Sequence, residues 1–236
     1  MRQLKRPVGL VVLACVFALS TTPAVAHEFI ASFPGKTRGS AFNGSLQEWK
    51  FKDLLVTCKV AVTKGSVNST NTKVVFDTVR YNKCDTKAHI GNEPIHLKTR
   101  FKTPVSFEYH ANGFAELGGE STSEVSLLTP TSIELTIPAI KCLIEIPPQT
   151  IPVKAEKKPN GEYTAVGYTT EEFETKKLKK FPSGFQKKVL IENALKNIEY
   201  TFVEGQCSEW KKIEAKNGMY KGTLLDELIG GDLSFE

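Results

Sequence analysis

Three signatures of catalytic or metal sites are missing from this 236-residue sequence. There is no G-x-S-x-G motif, which places a serine nucleophile on a sharp turn, and no H-E-x-x-H motif, which places two metal-binding histidines on one helix face. No two of the cysteines beyond residue 26 have the C-x-x-C spacing that is typical of zinc and redox sites. These absences favour a binding or structural role over an enzyme, and they give no support to a cofactor.

Long apolar runs and an excess of one charge are also missing beyond residue 26. No run there approaches the roughly 18 apolar residues that indicate a membrane-spanning helix, so we predict no membrane span. Three of the 31 Lys and Arg residues lie in the first 26 positions, which leaves 28 against 26 acidic residues and a net charge of +2 for residues 27–236. A balance this close to neutral gives no support to a nucleic-acid partner.

The first 26 residues have the layout of a secretory signal peptide. Arg2, Lys5 and Arg6 form a basic region, residues 9–19 are apolar, and Ala24-Val25-Ala26 is a small-x-small cleavage site. The alternative is a lipoprotein signal with Cys15 as the lipid-bearing residue, but the apolar region continues beyond that cysteine. We expect cleavage after Ala26 and a secreted, extracellular or cell-envelope protein with one β domain over residues 27–236.

Four cysteines follow the signal, and an even number in an exported chain indicates two disulfides. Three pairings are possible. We favour the sequential one because it closes the smaller loops, which gives Cys58–Cys84 and Cys142–Cys207.

Short alternating apolar patterns dominate the rest of the chain. In residues 132–149, the apolar face runs through Ile133 and Leu135, changes phase at Pro138, and continues through Cys142 and Ile144. Period-two alternation of β-branched residues is typical of strands, and a phase change at proline indicates two strands. In residues 54–62 every second residue is apolar, which predicts one continuous buried face. The pattern predicts an all-β fold, an antiparallel sandwich or barrel-like packing of sheets, with at most a short helix near residues 185–196.

Residues 95–110 predict a hairpin around Lys102-Thr103-Pro104. In the register that matches apolar with apolar, His96 lies opposite His110, and two opposed histidines are a candidate metal site. The structural alternative is a single strand interrupted at Pro104. His27 is a second candidate, because a terminal amine and its own imidazole can chelate copper together with another histidine.

Two other groups of residues are candidate binding sites. Residues 169–188 are predicted to be a Lys-rich insertion that can hold an acidic wall or other extracellular polymer, or lipid headgroups. The alternative is a solvated hairpin whose charges maintain solubility. Trp49 and Trp210 lie among charged neighbours, and exposed indoles stack on sugar rings. The alternative is that each tryptophan closes the edge of the core with its indole half buried. The insertion's lysines are Lys176, Lys177, Lys179 and Lys180.

Several short segments carry a resemblance that covers most of residues 27–236. They are EFIAS at 28–32, VTC at 56–58, YNKC at 81–84, KCLIEIPPQ at 141–149, IEYT at 198–201 before Cys207, GMYKGT at 218–223 and GGDLSF at 230–235. In these segments the chain resembles a set of uncharacterised secreted four-cysteine β proteins of soil actinobacteria. The resemblance implies secretion, four cysteines and a β fold, and it implies no activity.

The leading hypothesis is a secreted, non-enzymatic β domain of the cell envelope or exterior, with a binding or structural role. The alternative is a secreted enzyme or copper-binding protein with a site around His27 or around His96 and His110.

Overall fold

The structure is a computed structural model that describes residues 28–72, 74–90, 93–111, 122–137, 140–154, 166–175, 184–204 and 214–236. Antiparallel strands make up almost all of the described chain, and one 3₁₀ turn, Phe42–Gly44, interrupts them. The all-β prediction is therefore confirmed. Within the described residues, no helix has the length and apolar character needed to cross a membrane.

The described strands are numbered here in chain order. They are β1 (Phe29–Ala31), β2 (Gly35–Ala41), β3 (Gln47–Phe51), β4 (Leu54–Val67), β5 (Asn71–Thr72), β6 (Val74–Ile90), β7 (Glu93–Phe101), β8 (Val105–His110), β9 (Thr122–Leu127), β10 (Thr131–Ile137), β11 (Ile140–Ile146), β12 (Gln149–Lys154), β13 (Gly167–Thr175), β14 (Gly184–Glu204), β15 (Glu214–Leu228) and β16 (Leu233–Phe235).

Eight of these strands close into a ring. The hydrogen-bonded order is β3-β4-β6-β7-β10-β11-β14-β15, and β15 pairs with β3 again. Closure leaves these strands without a free edge, so the ring is barrel-like and its inward side chains form a shared core.

The long strands β4, β6, β14 and β15 extend beyond the ring into a second level. There β2 lies between β15 and β4, while β8, β9 and β12 continue outward from β6, and β13 continues outward from β14. A separate three-stranded sheet, β16-β1-β5, packs Phe29 and Phe235 against Tyr168 of β13. This second level positions the surface groove and the buried carboxyl groups described below.

The long strands change their buried face where they pass from one level to the other. In β6 the buried side chains run through Tyr81 and resume at Thr86, and Lys83 between them has φ of 53°. In β14 the change falls between Leu195 and Ile198, where the register shifts and Asn197 has φ of 60°. A residue with positive φ inside a strand is typical of a bulge, which bends the strand and shifts its pattern by one.

The same change of face occurs in β4 and corrects one expectation. Cys58 is buried, and the next buried residues are Ala61 and Thr63, whereas Val62 is 41% exposed. The predicted continuous face through Val60 and Val62 is therefore wrong in its second half.

Residues 132–149 behave as predicted. Strands β10 and β11 pair antiparallel, and their register ends with Ile137 opposite Ile140. Ile133, Leu135, Cys142 and Ile144 are all buried. The apolar alternation on each side of the proline was sufficient to define both strands.

The predicted hairpin over residues 95–110 is wrong. Strand β7 pairs with the second half of β6, and β8 pairs with the first half of the same strand. The two segments therefore run in the same direction beside one long partner, as in the alternative of a strand interrupted at Pro104. Pairing with β6 gives each segment a buried neighbour within the sheet, which a two-stranded hairpin cannot supply.

The region near 185–196 contains no helix. It belongs to β14, a strand of 21 residues paired with both β13 and β15. Val189, Ile191, Asn193 and Leu195 are buried at every second position, and Leu190 is buried as well. Period two therefore outweighs the helix-forming residues in this segment.

The disulfide Cys58–Cys84 is present, as predicted. These residues are direct cross-strand partners of β4 and β6, with Cα atoms 4.0 Å apart. Cys142 is also disulfide-bonded. Its predicted partner Cys207 lies outside the described residues.

Candidate functional site

A groove of about 340 Å³ crosses the outer face of β4, β2 and β15. The register places Arg38 of β2 directly between Glu227 of β15 and Lys64 of β4. Ser40 lies one step further along β2, between Leu225 and Val62. Lys188 of β14 completes the lining beside Glu227. Three cations and one carboxylate thus line a single groove.

Glu227 holds two of these cations. Its Oε1 accepts a 2.6 Å hydrogen bond from Arg38 Nε, and its Oε2 lies 2.5 Å from Lys188 Nζ. Burial of Glu227 by itself would raise its pKa, but the hydrogen bonds from Lys188 and Arg38 outweigh burial and hold the pKa below its ordinary value. Lys188 also lies 4.9 Å from the centre of the Phe173 ring, in a cation–π contact.

Lys64 differs from Arg38 and Lys188, because the residue opposite it on the adjacent strand is another cation. It pairs with Arg38 in the register of β2 and β4, and both side chains are on the outer face. Like charges directly opposite each other destabilise a sheet. Among the salt bridges of the described residues, none involves Lys64. The groove therefore has a net charge of +2 and two adjacent cations with no anion between them.

The interior of the same strands contains polar groups that lie over glycines. The side chain of Gln47 covers Gly222 in the adjoining strand β15, and its Nε2 donates to the carbonyl of Thr223 at 3.1 Å. The hydroxyl of Tyr220 donates to Gln47 Oε1 at 2.7 Å. A Cβ atom at residue 222 would overlap Gln47, so glycine makes room for this buried amide.

Two buried aspartates have the same arrangement, over glycines of the neighbouring strands β2 and β4. Asp226 of β15 lies over Gly39 of β2 and accepts a hydrogen bond from Thr63 of β4. Asp77 of β6 lies over Gly65 of β4 and faces Thr37 of β2, whose Oγ1 would be 2.7 Å from a Cβ atom at residue 65. The two carboxyl groups are neighbours on one face of the sheet, so the charge of Asp226 acts on Asp77.

Burial controls the charge of these interior groups. It raises the pKa of Asp77 well above its ordinary value, and the neighbouring carboxylate of Asp226 raises it further. Burial also raises the pKa values of Tyr81, Tyr109 and Tyr220, so these hydroxyls stay neutral. The aspartates are 1% and 0% exposed, which closes them to any substrate.

The predicted histidine pair is not brought together. His96 lies opposite Lys87, whereas His110 lies opposite Val74 near the other end of β6. His96 Nδ1 is 2.7 Å from Asp85 Oδ2, and His110 Nε2 is 2.5 Å from Glu108 Oε1. A metal shared by His96 and His110 is therefore excluded by the strand order. His27 lies outside the described residues.

The predicted sugar platform at Trp49 is also wrong. Trp49 is fully buried and stacks on Tyr220 with ring centres 4.4 Å apart, so it belongs to the core of the ring. Of the Lys-rich segment, residues 169–175 and 184–188 belong to β13 and β14, where Glu171 pairs with Lys188 and Glu172 with Lys187. The predicted binding residues Trp210, Lys176, Lys177, Lys179 and Lys180 lie outside the described residues.

Within the described part of the chain, no group of three or more His, Cys, Asp or Glu side chains is arranged to hold a metal ion. The groove residues and the buried aspartates were both missed by sequence reasoning. Their only signal in the sequence is the repeated spacing of glycine and threonine in residues 35–41 and 63–65, which is unusual in strands.

The chain matches no protein-family model, no curated protein and no solved structure.

Proposed function

We propose that this protein is a secreted, non-enzymatic β domain of the cell envelope or exterior, and that it binds anionic polymers through the groove on β4, β2 and β15. The observation that carries the proposal is the pairing of Arg38 with Lys64 on the groove's outer face. Two cations placed directly opposite each other cost stability, and a bound anion removes that cost.

The groove has the chemistry of a polymer site. Glu227 orients Arg38 and Lys188 by hydrogen bonds, so part of the cationic surface is held in place before any ligand binds. Arg38 retains an exposed side chain, at 66%, so its remaining donors are free to face solvent or a ligand. Val62 and Leu225 supply an apolar floor next to Ser40. Carboxylate or phosphate groups along an extended polymer fit this combination.

The experiment measures binding of the secreted chain to poly-L-glutamate and to polyphosphate, with neutral dextran as the uncharged comparison. We expect binding to both anionic polymers at low salt and a steep loss toward about 1 M salt, where the screening length falls to about 3 Å. Dextran is expected not to bind. Binding that is unchanged by salt contradicts the proposal.

Lys64→Glu is the decisive variant. It places a carboxylate opposite Arg38, so we expect polymer binding to fall while stability rises by about 0.2–1 kcal/mol. Lys50→Glu is the matched control, because Lys50 is exposed on β3, lies outside the groove and gives the same change in net charge. Equal loss of binding in the two variants would show that overall charge, rather than the groove, attracts the polymer.

A further inference from the structure

We propose that Asp77 and Asp226 form a buried carboxyl pair that shares a proton, and that this pair sets an upper pH limit on the stability of the fold. The pair lies on the opposite face of the sheet from the groove.

The side chains of Asp226 and Asp77 are placed in similar ways, each lying across a glycine of the adjacent strand. Asp226 reaches from β15 across Gly39 to the hydroxyl of Thr63, which donates to Asp226 Oδ1. Asp77 reaches from β6 across Gly65 toward Thr37. Each aspartate thus spans one glycine to face a threonine two strands away. The two side chains lie on adjacent rows of the same sheet face, over Gly39 and Gly65, which makes the carboxyl groups neighbours.

A hydrogen bond between two carboxyl groups requires a proton on one of them, because a carboxylate has no donor. The oxygens of Asp77 and Asp226 Oδ2 are buried, and within the described residues no aligned hydrogen bond reaches them. Thr37 lies beside Asp77 and favours its charged form, but burial and the charge of Asp226 outweigh this effect and raise the pKa of Asp77. Two neighbouring unprotonated carboxylates would repel each other. A proton taken from solvent gives the pair both a donor and a lower charge.

The surroundings offer no other neutralising group. Among the buried side chains of the described residues there is no lysine, arginine or histidine. The titratable groups that face the pair are Tyr109 of β8 and Tyr220 of β15, with Tyr81 of β6 packed next to Tyr220. Burial keeps these hydroxyls neutral, and they add no positive charge. The cations Arg38 and Lys64 lie on the far side of the sheet.

The sign of the pH dependence follows from proton counting. An unfolded aspartate releases its proton near pH 3.9, whereas the folded pair holds at least one proton to a higher pH. The folded state therefore binds more protons between these limits, and its stability falls as pH rises. For one retained proton, the unfolding equilibrium constant rises about tenfold per pH unit, equal to about 1.4 kcal/mol.

The experiment measures unfolding by urea from pH 4 to pH 10 for the disulfide-intact chain and for Asp77→Asn, Asp226→Asn and the double variant. An asparagine supplies an amide donor at nearly constant shape, so the remaining carboxylate no longer needs the proton. We expect each variant to lose the tenfold-per-unit slope and to exceed the wild-type chain in stability at the alkaline end. Asp53→Asn, at an exposed aspartate in the turn after β3, is expected to keep the wild-type slope.

The alternative to a shared proton is a metal cation bound between the two carboxylates. Repeating the measurement with calcium chloride and with EDTA separates the two: a shared proton predicts no effect of either, whereas stabilisation by calcium that the asparagine variants lack would overturn the proposal. Parallel pH profiles for wild type and the double variant would also overturn it.

A measurement on the wild-type chain alone tests the shared proton even if the asparagine variants fold poorly. Infrared difference spectra of the wild-type chain at pH 7 are expected to contain the carbonyl band of a protonated carboxylic acid, which disappears when the pH is raised. If the folded wild-type chain lacks this band at pH 7, the shared proton is refuted.

Discussion

The hydroxyl of Tyr220 donates a 2.7 Å hydrogen bond to Oε1 of Gln47, and neither residue is exposed to solvent. The bond joins β15 to β3, the pair of strands that closes the ring. Tyr220 also stacks on Trp49, so one side chain supplies both the polar and the aromatic contact at the closure.

We expect Tyr220→Phe to destabilise the fold by about 1–3 kcal/mol, because it leaves Gln47 Oε1 buried without its donor. Urea unfolding monitored by tryptophan fluorescence measures the change. Tyr200→Phe is the control: its hydroxyl donates to Oδ1 of Asn217 at 3.1 Å, and Asn217 is exposed, so water can replace the bond. Equal losses in the two variants would contradict a special role for the Gln47 contact.

Gly39→Ala and Gly65→Ala are each expected to cost about 3 kcal/mol or more, because the new Cβ atom would overlap a backbone carbonyl as well as a buried carboxylate. Flexible side chains can move away from a methyl group, but the carbonyls of Leu225 and Phe76 are fixed in the sheet. Gly167→Ala in β13 is the matched control. Its nearest neighbour would be 3.7 Å away, so stability should change by less than about 0.5 kcal/mol. A tolerated Gly39→Ala would show that the sheet opens more easily than its packing indicates.

Glu227→Gln is expected to increase affinity for anionic polymers, because it removes the single negative charge among the described residues that line the groove, while the glutamine oxygen can still accept from Arg38. It should also change the acid side of the stability profile. Since the folded pKa of Glu227 is depressed, its contribution is present above about pH 4.3 and is lost as pH falls through the lower folded value. Urea unfolding between pH 2 and pH 6 is expected to show a free energy of unfolding that changes less with pH in the variant than in the wild-type chain. Unchanged polymer affinity in the variant would argue against the groove as the binding site.

Replacing both Cys58 and Cys84 by alanine is expected to destabilise the fold by about 3 kcal/mol, since the bridge closes a loop with a sequence separation of 26. Peptide mapping of the unreduced protein should recover the Cys58–Cys84 peptide pair. Two free thiols at these positions in the folded chain would contradict the structure.

Features that depend on residues close in the sequence were predicted correctly. The alternation on both sides of Pro138 predicted β10 and β11 and their buried faces, because each strand's burial follows its own period of two. The Cys58–Cys84 bridge was predicted by sequential pairing, and the structure shows why that pairing succeeds: β4 and β6 place the two residues directly opposite each other.

Features that depend on pairing between strands far apart in the sequence were not predicted. Periodicity assigned the apolar faces of residues 95–110 but not their partner, so β7 and β8 were paired with each other instead of with the two halves of β6. The charged neighbours Glu48 and Lys50 made Trp49 seem exposed in the sequence, but they lie on the outer face of β3. Trp49 is on the inner face, and it is buried because β15 pairs with β3 and closes the ring.

The sequence by itself determined the all-β class and the two strands on either side of Pro138, because alternation and turns act over short distances. It favoured Cys58–Cys84 among three possible pairings, and only the pairing of β4 with β6 decided the bridge. Only the tertiary structure decided which strands close the ring, where the bulges at Lys83 and Asn197 turn the strands over, and which polar side chains meet. Arg38 and Lys64 face each other, and Asp77 approaches Asp226, through strand pairing between distant parts of the chain. A one-residue change in any of those registers would move each of these side chains to the other face.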